Sequence, residues 1–444
     1  MTILVAHNRY RIRGGEDGVF ETECRLLEEA GHRVVRYEKS NCDIPDRGGR
    51  LGLACRTIWN GRAYREIREI IRREKPDVMH CHNTFPLISP SIYWAAAREG
   101  VPVVQTLHNY RLACLNGYLF RDGHVCEKCL GRTPWCGLRR RCYRGSLGGS
   151  LSLFAMLLVH RLLGTYRRKV TRYIALTDFA RDKFVSAGLP AGKLVVKPNA
   201  FAAASGKRVG LPGSRDLGIS GSRSKNPGIR ESENPESLRV VYLGRLSPEK
   251  GVDVLLRAWA LLTKEGRDAP TARPSQAPGG PGAADHSSLV TRHSSLVIVG
   301  DGPERVALEG LAGDGASVRF LGALPRDAAL AELSSASLLV FPSLWYEQFA
   351  ITPLEAMALG VPVLASDVAR AGTILEDAVS GRFFRAGDPA ALAAALRELL
   401  ADPAALRRMG AAARAAFEAS DCEPSRNLAR LLDVYASARS ARDA

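Results

Sequence analysis

The sequence predicts an α/β protein made of two similar halves, each a parallel sheet with helices on both faces. Three observations lead there. Short runs rich in Val, Ile and Leu alternate with helix-like segments along most of the chain. The alternation breaks at a polar stretch and starts afresh near residue 238. A length of 444 residues with a hydrophobic fraction of 46% exceeds what one core organises and suits two domains of ordinary size.

The first half, residues 1–200, opens with the strand-like "TILVA" from Thr2. A helix near Asp17 to Ala30 follows, ended by Gly31, then "HRVVRYE" and a helix through Arg62 to Glu74. "DVMHCH", "VPVVQTLH", "TRYIALT" and "KLVVKPN" continue the sheet. The second half, residues 238–425, supplies "LRVVYLGRL", "SLVIVG", "VRFLG", "LLVFPS" and "VPVLAS", each followed by a helix-like segment. Both halves are therefore Rossmann-like. Residues 206–237 form a flexible polar linker, and 265–292 a disordered insert that includes "APTARPSQAPGGPGAAD". Both stretches bury too little apolar surface to offset the entropy of ordering. "HSSLV" occurs twice near residue 290, a local duplication with no longer period. Residues 426–444 are expected to form a helix that packs back on the first half.

A formal charge of +16 favours an anionic partner: nucleic acid, an acidic lipid surface or a phosphorylated small molecule. The start lacks the basic segment, apolar run and cleavage site of a signal peptide, so a cytoplasmic location is expected. The apolar run Leu151 to Val159 is about half the ~20 residues that a membrane span needs. Nine of ten cysteines lie within residues 1–142, which in a reducing compartment argues for thiols or a metal and against a disulfide framework.

The polar residues that punctuate the strand ends carry the chemistry. In open α/β sheets, ligands bind at the C-terminal ends of strands. After the first strand, "RGGEDG" places Gly14 and Gly15 at a helix start, where free N–H groups attract anions; a tight turn is the alternative use of such glycines. "YLGRLSPEKG" places Arg245 past a strand and Lys250 at the next helix start, a pair suited to a pyrophosphate. A solvated loop would use the same residues. "GDGPE" is a further strand-to-helix turn. His108 follows the strand of "VVQTLHNYR", where a histidine serves function or structure. In "YEQFAITPLEAMALGVPVLAS", Thr352 to Glu355 reads as a capping box with Gly360 as the helix stop, while Glu347 lies on a strand-end loop without a structural reason.

Together, "GRLSPEKG", "GDGPE" and the glutamate pair resemble the C-terminal half of family 4 (group 1) retaining glycosyltransferases of the GT-B fold. "GGEDGVFETECRLLEEAGHRV" and "TLHNYR" resemble their N-terminal half. The resemblance implies two Rossmann-like domains facing a central cleft and transfer of a sugar from a UDP- or GDP-sugar to a glycan or lipid-linked acceptor, as in bacterial surface polysaccharide synthesis. It implies that Glu347 meets the donor sugar and Glu355 the ribose, that Arg245 and Lys250 hold the diphosphate, and that His108 sits beside the reacting sugar. Gly14, Gly15, Ile351 and Thr352 would complete the donor site. With two cations on the leaving group, catalysis would need no divalent metal. Gln348 and Ala350 stand where the family commonly has glycine.

Cys114, Cys126, Cys129 and Cys142, with Cys136 spare, form one C-x2-C flanked by single cysteines; they suit a structural zinc, or remain ordinary or transiently oxidised thiols. Arginines flank the apolar helix around 151–159, which suits either core packing or peripheral contact with an anionic membrane on the inner face of the plasma membrane. Two other classes remain open: a nucleotide-sugar epimerase or hydrolase, and a zinc-containing nucleic-acid-binding protein. Neither the doubled sheet pattern nor Glu347 and Arg245 fit the latter, so no nucleic acid is expected.

Overall fold

The computed structural model describes residues 1–11, 14–44, 49–201, 238–268, 294–313 and 317–443. The linker 206–237 and most of the expected insert lie outside them. In the first six-stranded sheet the order is Arg33–Ser40, Thr2–Arg9, Val78–Cys81, Val103–Thr106, Arg172–Ala175, Leu194–Val196, with every neighbouring pair parallel. In the second it is Val318–Gly322, Ser295–Val299, Arg239–Leu243, Leu338–Phe341, Val363–Ser366, Gly381–Phe384, again all parallel. In each sheet the chain builds outward on one side of its first strand and then crosses to the other. Thr2–Arg9 and Val78–Cys81 therefore flank one topological switch point, and Arg239–Leu243 and Leu338–Phe341 flank another. At such points the connecting loops diverge and leave a crevice at the C-terminal strand ends.

Strand residues alternate between two cores because successive side chains point to opposite faces. Leu4, Ala6, Met79 and Cys81 enter one core of the first half. Ile3, Val5, Val78 and Val104 enter a second, which continues through Leu339, Phe341 and Val363 of the other sheet. The helix Pro424–Asp443 closes that shared core with Leu431, Val434, Tyr435 and Ala438. It returns to the first half, where Tyr435 Oη lies 2.8 Å from His80 Nδ1 and Arg172 donates to Ser437 Oγ at 2.9 Å.

Three local features differ from expectation. The helix Val252–Asp268 runs past Glu265 into the stretch read as insert. Gly381–Phe384 forms a sheet-edge strand from a "GRFF" segment too short to stand out, because pairing with Val363–Ser366 specifies it. The capping box at Thr352 is absent: the helix Ile351–Leu359 starts earlier, capped at Ala350 with no side-chain bond. The Ala350 N–H goes to Gly372 O at 2.7 Å, turning the chain before Thr352 can cap it. Gly360 does stop this helix, with φ 74°. Among the described residues, no helix is long and apolar enough to cross a membrane.

Candidate functional site

In the second half, the loop after Arg239–Leu243 ends in a single turn, Pro248–Lys250, followed by Gly251 in the left-handed region at φ 64°. A Cβ on Gly251 would lie 2.2 Å from the Pro342 carbonyl oxygen, so only glycine lets this turn press against the neighbouring strand end. Leu344 N–H donates to Glu249 O at 2.8 Å and ties the two loops together. The "GDGPE" turn supports them from beneath: Leu246 N–H donates to Asp301 O at 3.0 Å, and a Cβ on Gly302 would lie 2.2 Å from Leu246 O.

These constraints bring Lys250 and Glu347 together across the switch point. Glu347 Oε1 accepts from Lys250 Nζ at 2.6 Å, Ser343 Oγ at 2.7 Å and Trp345 Nε1 at 2.8 Å. Glu347 is only 5% exposed, which rules out a solvated loop residue. Arg245 pairs with Glu249 at 2.7 Å but leaves its side chain 55% exposed. Glu355, expected to cap its helix, instead pairs with Arg326 at 2.8 Å, and burial raises its pKa against the pull of that guanidinium. Beside Glu347, Gln348 is 3% exposed, and both its amide atoms lack a partner. Unmet amide groups this well buried cost free energy unless something else satisfies them.

The first half brings Gly14 and Gly15 to the start of the helix Gly15–Glu29. Gly14 has φ −115° and a Cβ on Gly15 would make an ordinary 3.5 Å contact with Ile351, so the local backbone demands neither glycine. The tight-turn reading loses its physical basis, and Gly15 and Ile351 meet across the cleft. From the same half, Tyr118 packs edge-on against Trp345 with centroids 4.9 Å apart, and it lies beside Arg245.

His108 is partly exposed and belongs to a relay. Its Nε2 lies 2.9 Å from His82 Nδ1, the rings stacked 16° from parallel. His82 Nε2 faces Glu23 Oε2 at 3.3 Å, and Glu23 Oε1 accepts from Lys197 Nζ at 2.6 Å. That contact is electrostatic and makes no hydrogen bond. One of the two facing nitrogens, His82 Nδ1 or His108 Nε2, carries the proton they share. Glu23, His80 and His82 have metal-ligand spacing, but the Lys197 ammonium already neutralises Glu23. Both nitrogens of His80 are also engaged, by Tyr435 and by Thr106 Oγ1 at 2.8 Å.

Burial lowers the pKa of His80 from its ordinary 6.5 to about 4, and holds His82 and His108 well below the usual range, with neighbouring histidines adding to the effect. The folded state therefore binds fewer protons than the unfolded one between pH 6.5 and about 4, and stability must fall as pH drops through that window. The urea midpoint is expected to be lower at about pH 5 than at about pH 7.5; a flat or rising midpoint would contradict neutral burial of these rings.

Strand-end position identified Arg245, Lys250, Glu347, His108 and the glycines in the sequence. It missed Ser343, Trp345, Arg326, Tyr118 and the relay behind His108. His80 and His82 lie in "DVMHCH", but their partners Glu23 and Lys197 are far away in sequence and have no local signature.

A model of the glycosyl transferases group 1 family matches residues 228–416, and one of a glycosyl transferase 4-like domain matches 11–200. The chain belongs to the group 1 glycosyl transferases. It is 28% identical over 247 residues to an alpha-D-kanosaminyltransferase of Streptomyces kanamyceticus, an alignment covering 54% of each chain. It is 31% identical over 228 residues to a D-inositol 3-phosphate glycosyltransferase of Nocardioides sp., covering 50% of this chain and 47% of that one. The chain thus spans about half the length of the curated relatives it matches. A solved Anabaena HepE structure in complex with UDP and glucose aligns with TM-score 0.59 at 16% identity, over 98% of this chain and 100% of that one. The architecture is GT-B.

Proposed function

We propose that this chain transfers a sugar from a nucleotide-sugar donor to an acceptor hydroxyl with retention at the anomeric carbon. The observation that carries the reading is the Lys250–Glu347 pair at the switch point of the second sheet, with the half-free Arg245 on the same loop. As a sugar–phosphate bond breaks, negative charge grows on the departing diphosphate and positive charge on the anomeric carbon. Lys250 and Arg245 are placed to hold the first, while Glu347 accepts sugar hydroxyls as Lys250 turns toward phosphate. Glu355 would meet the ribose. A leaving phosphate oxygen takes the acceptor proton on the same face, which gives retention. Solved structures of similar shape hold UDP or UDP-glucose, which supports a nucleotide-sugar donor, here a UDP- or GDP-sugar by the family resemblance.

A lipid-linked acceptor and peripheral contact with an anionic membrane fit the surface of the helix Leu147–Leu162. Leu153, Phe154 and Leu157 pack inward, while Leu147, Leu151 and Leu162 are 53%, 51% and 79% exposed. Basic side chains lie nearby in sequence at Arg139, Arg140, Arg141 and Arg144. We place the enzyme in bacterial surface polysaccharide synthesis, at the inner face of the plasma membrane. The test is incubation of labelled UDP- and GDP-sugars with the enzyme and lipid extracts, in buffer free of magnesium. Transfer with the donor's anomeric configuration in the product supports the proposal. Consumption of donor without acceptor, inversion, or strict magnesium dependence would each overturn part of it.

Gln348 offers a sharper prediction. Its amide is buried beside Glu347 without partners, so a bound donor is the group that satisfies it. Gln348→Ala is expected to raise the donor KM about tenfold, a loss of roughly 1.4 kcal/mol. The same change should leave the ligand-free protein as stable or slightly more so, because it removes an unmet polar group. Unchanged KM with lowered stability would assign Gln348 to packing.

A further inference from the structure

The transferase chemistry leaves five cysteines unused, and the structure gathers all of them. Cys114, Cys126, Cys129, Cys136 and Cys142 line a single cavity with Arg121 and Arg140. The segment around it has almost no regular structure beyond the hairpin Phe120–Arg121 with His124–Val125 and the short helix Trp135–Arg139. Four of its non-glycine residues, Leu119, Asp122, Arg141 and Arg144, sit in the left-handed region. Such conformations persist only where surrounding contacts over-determine them. We propose that Cys114, Cys126, Cys129 and Cys142 bind a structural zinc ion that fixes this segment.

The ligand set follows from spacing and placement. Cys126 and Cys129 form the C-x2-C chelate, and Cys114 and Cys142 bring in the two ends of the segment from either side. Arg121 Nη1 already reaches Cys142 Sγ at 3.1 Å and Arg140 O at 2.8 Å. Cys114 Sγ donates to Asn116 Oδ1 at 2.9 Å, a thiol proton that metal binding would displace. Among the described residues, no three of these sulfurs lie within 4.8 Å of one another, so the cage closes by side-chain rotation onto the ion. Binding releases the four thiol protons and leaves a centre of net charge minus two, part of which the Arg121 guanidinium beside Cys142 offsets.

The segment also borders the cleft. Tyr118 rests against Trp345, itself a hydrogen-bond donor to Glu347. Glu127 pairs with Lys183 at 2.6 Å, and Lys183 Nζ lies 5.3 Å from the centroid of Tyr346. A zinc that fixes the segment therefore steadies the loop bearing Glu347. That consequence rests on the proposed transferase reading, whereas the metal content does not.

The test is elemental analysis of untagged protein purified without added metal or chelator, and about one zinc per chain is expected. Cys126→Ser with Cys129→Ser should lose the ion, while Cys136→Ser should keep it. If the double variant fails to fold, wild-type protein titrated with a mercurial should release zinc in step with loss of the cavity thiols, read by a metal-sensitive dye. Zinc-depleted protein should show a raised donor KM that added zinc restores; zinc content without this KM effect would confine the ion to folding the segment and overturn its role at the cleft. Wild-type protein without zinc and with all five cavity thiols free to react, a disulfide among them, or loss of zinc in Cys136→Ser would overturn the proposed site.

Discussion

Lys250→Ala is expected to cut transfer about 10²–10³-fold and to lower stability at the same time. The two effects have one origin. Lys250 is the ion partner of a glutamate whose side chain is 7% exposed, and its own side chain is 19% exposed. Removing one partner of a buried pair costs about 3–5 kcal/mol when the other is left uncompensated. Ser343 and Trp345 continue to donate to Glu347, which places the expected loss nearer 2–3 kcal/mol. In turnover, withdrawing one preorganised donor from developing charge costs about 10²–10³-fold. Arg245→Ala is the contrast: its exposed guanidinium should cost activity with little change in melting temperature. A Lys250→Ala enzyme within a few-fold of wild-type turnover would remove the lysine from the reaction. Equal activity loss with no loss of stability would mean that the pair with Glu347 contributes nothing in the ligand-free protein.

In the sequence Arg245 and Lys250 read alike, as a pair suited to a pyrophosphate, and the reason their stability effects differ shows what a linear reading can reach. Arg245, Lys250 and Glu347 were legible because strand periodicity places them at strand ends, and strand ends are where such sheets bind ligands. Their pairing depends on strand order: Arg239–Leu243 and Leu338–Phe341 are neighbours only because the chain crosses over between them. Glu355 illustrates the same limit. Thr352 and Glu355 fit a capping pattern, yet a backbone bond from Ala350 to Gly372 sets the helix start elsewhere, and Arg326 takes the carboxylate. The cysteine segment was legible by spacing, whereas the contact of Tyr118 with Trp345 was not.

Glu23→Ala is expected to produce the second large effect, although Glu23 sits within a helix behind the site. It would leave Lys197, 1% exposed, without its carboxylate, and cost about 3–5 kcal/mol of stability. It would also remove the carboxylate beside His82, the ring that hydrogen-bonds His108. The double variant Glu23→Gln with Lys197→Met separates the two roles. With the charge pair replaced by neutral groups, stability should largely return, since such replacements are often close to neutral. Transfer should stay depressed, with kcat falling more than donor KM rises, because His108 is no longer held. Recovery of both stability and activity in the double variant would reduce the relay to structural packing and leave His108 without its positioning network.

Calorimetric titration of UDP, GDP and their sugar conjugates into the ligand-free protein tests the central claim most directly. At least one nucleotide sugar should bind with a Kd of about 1–100 μM, and the same titration into Arg245→Ala should weaken it by about tenfold or more. No binding by any of them, or equal binding by wild type and Arg245→Ala, would contradict a diphosphate held at the strand ends of the second sheet.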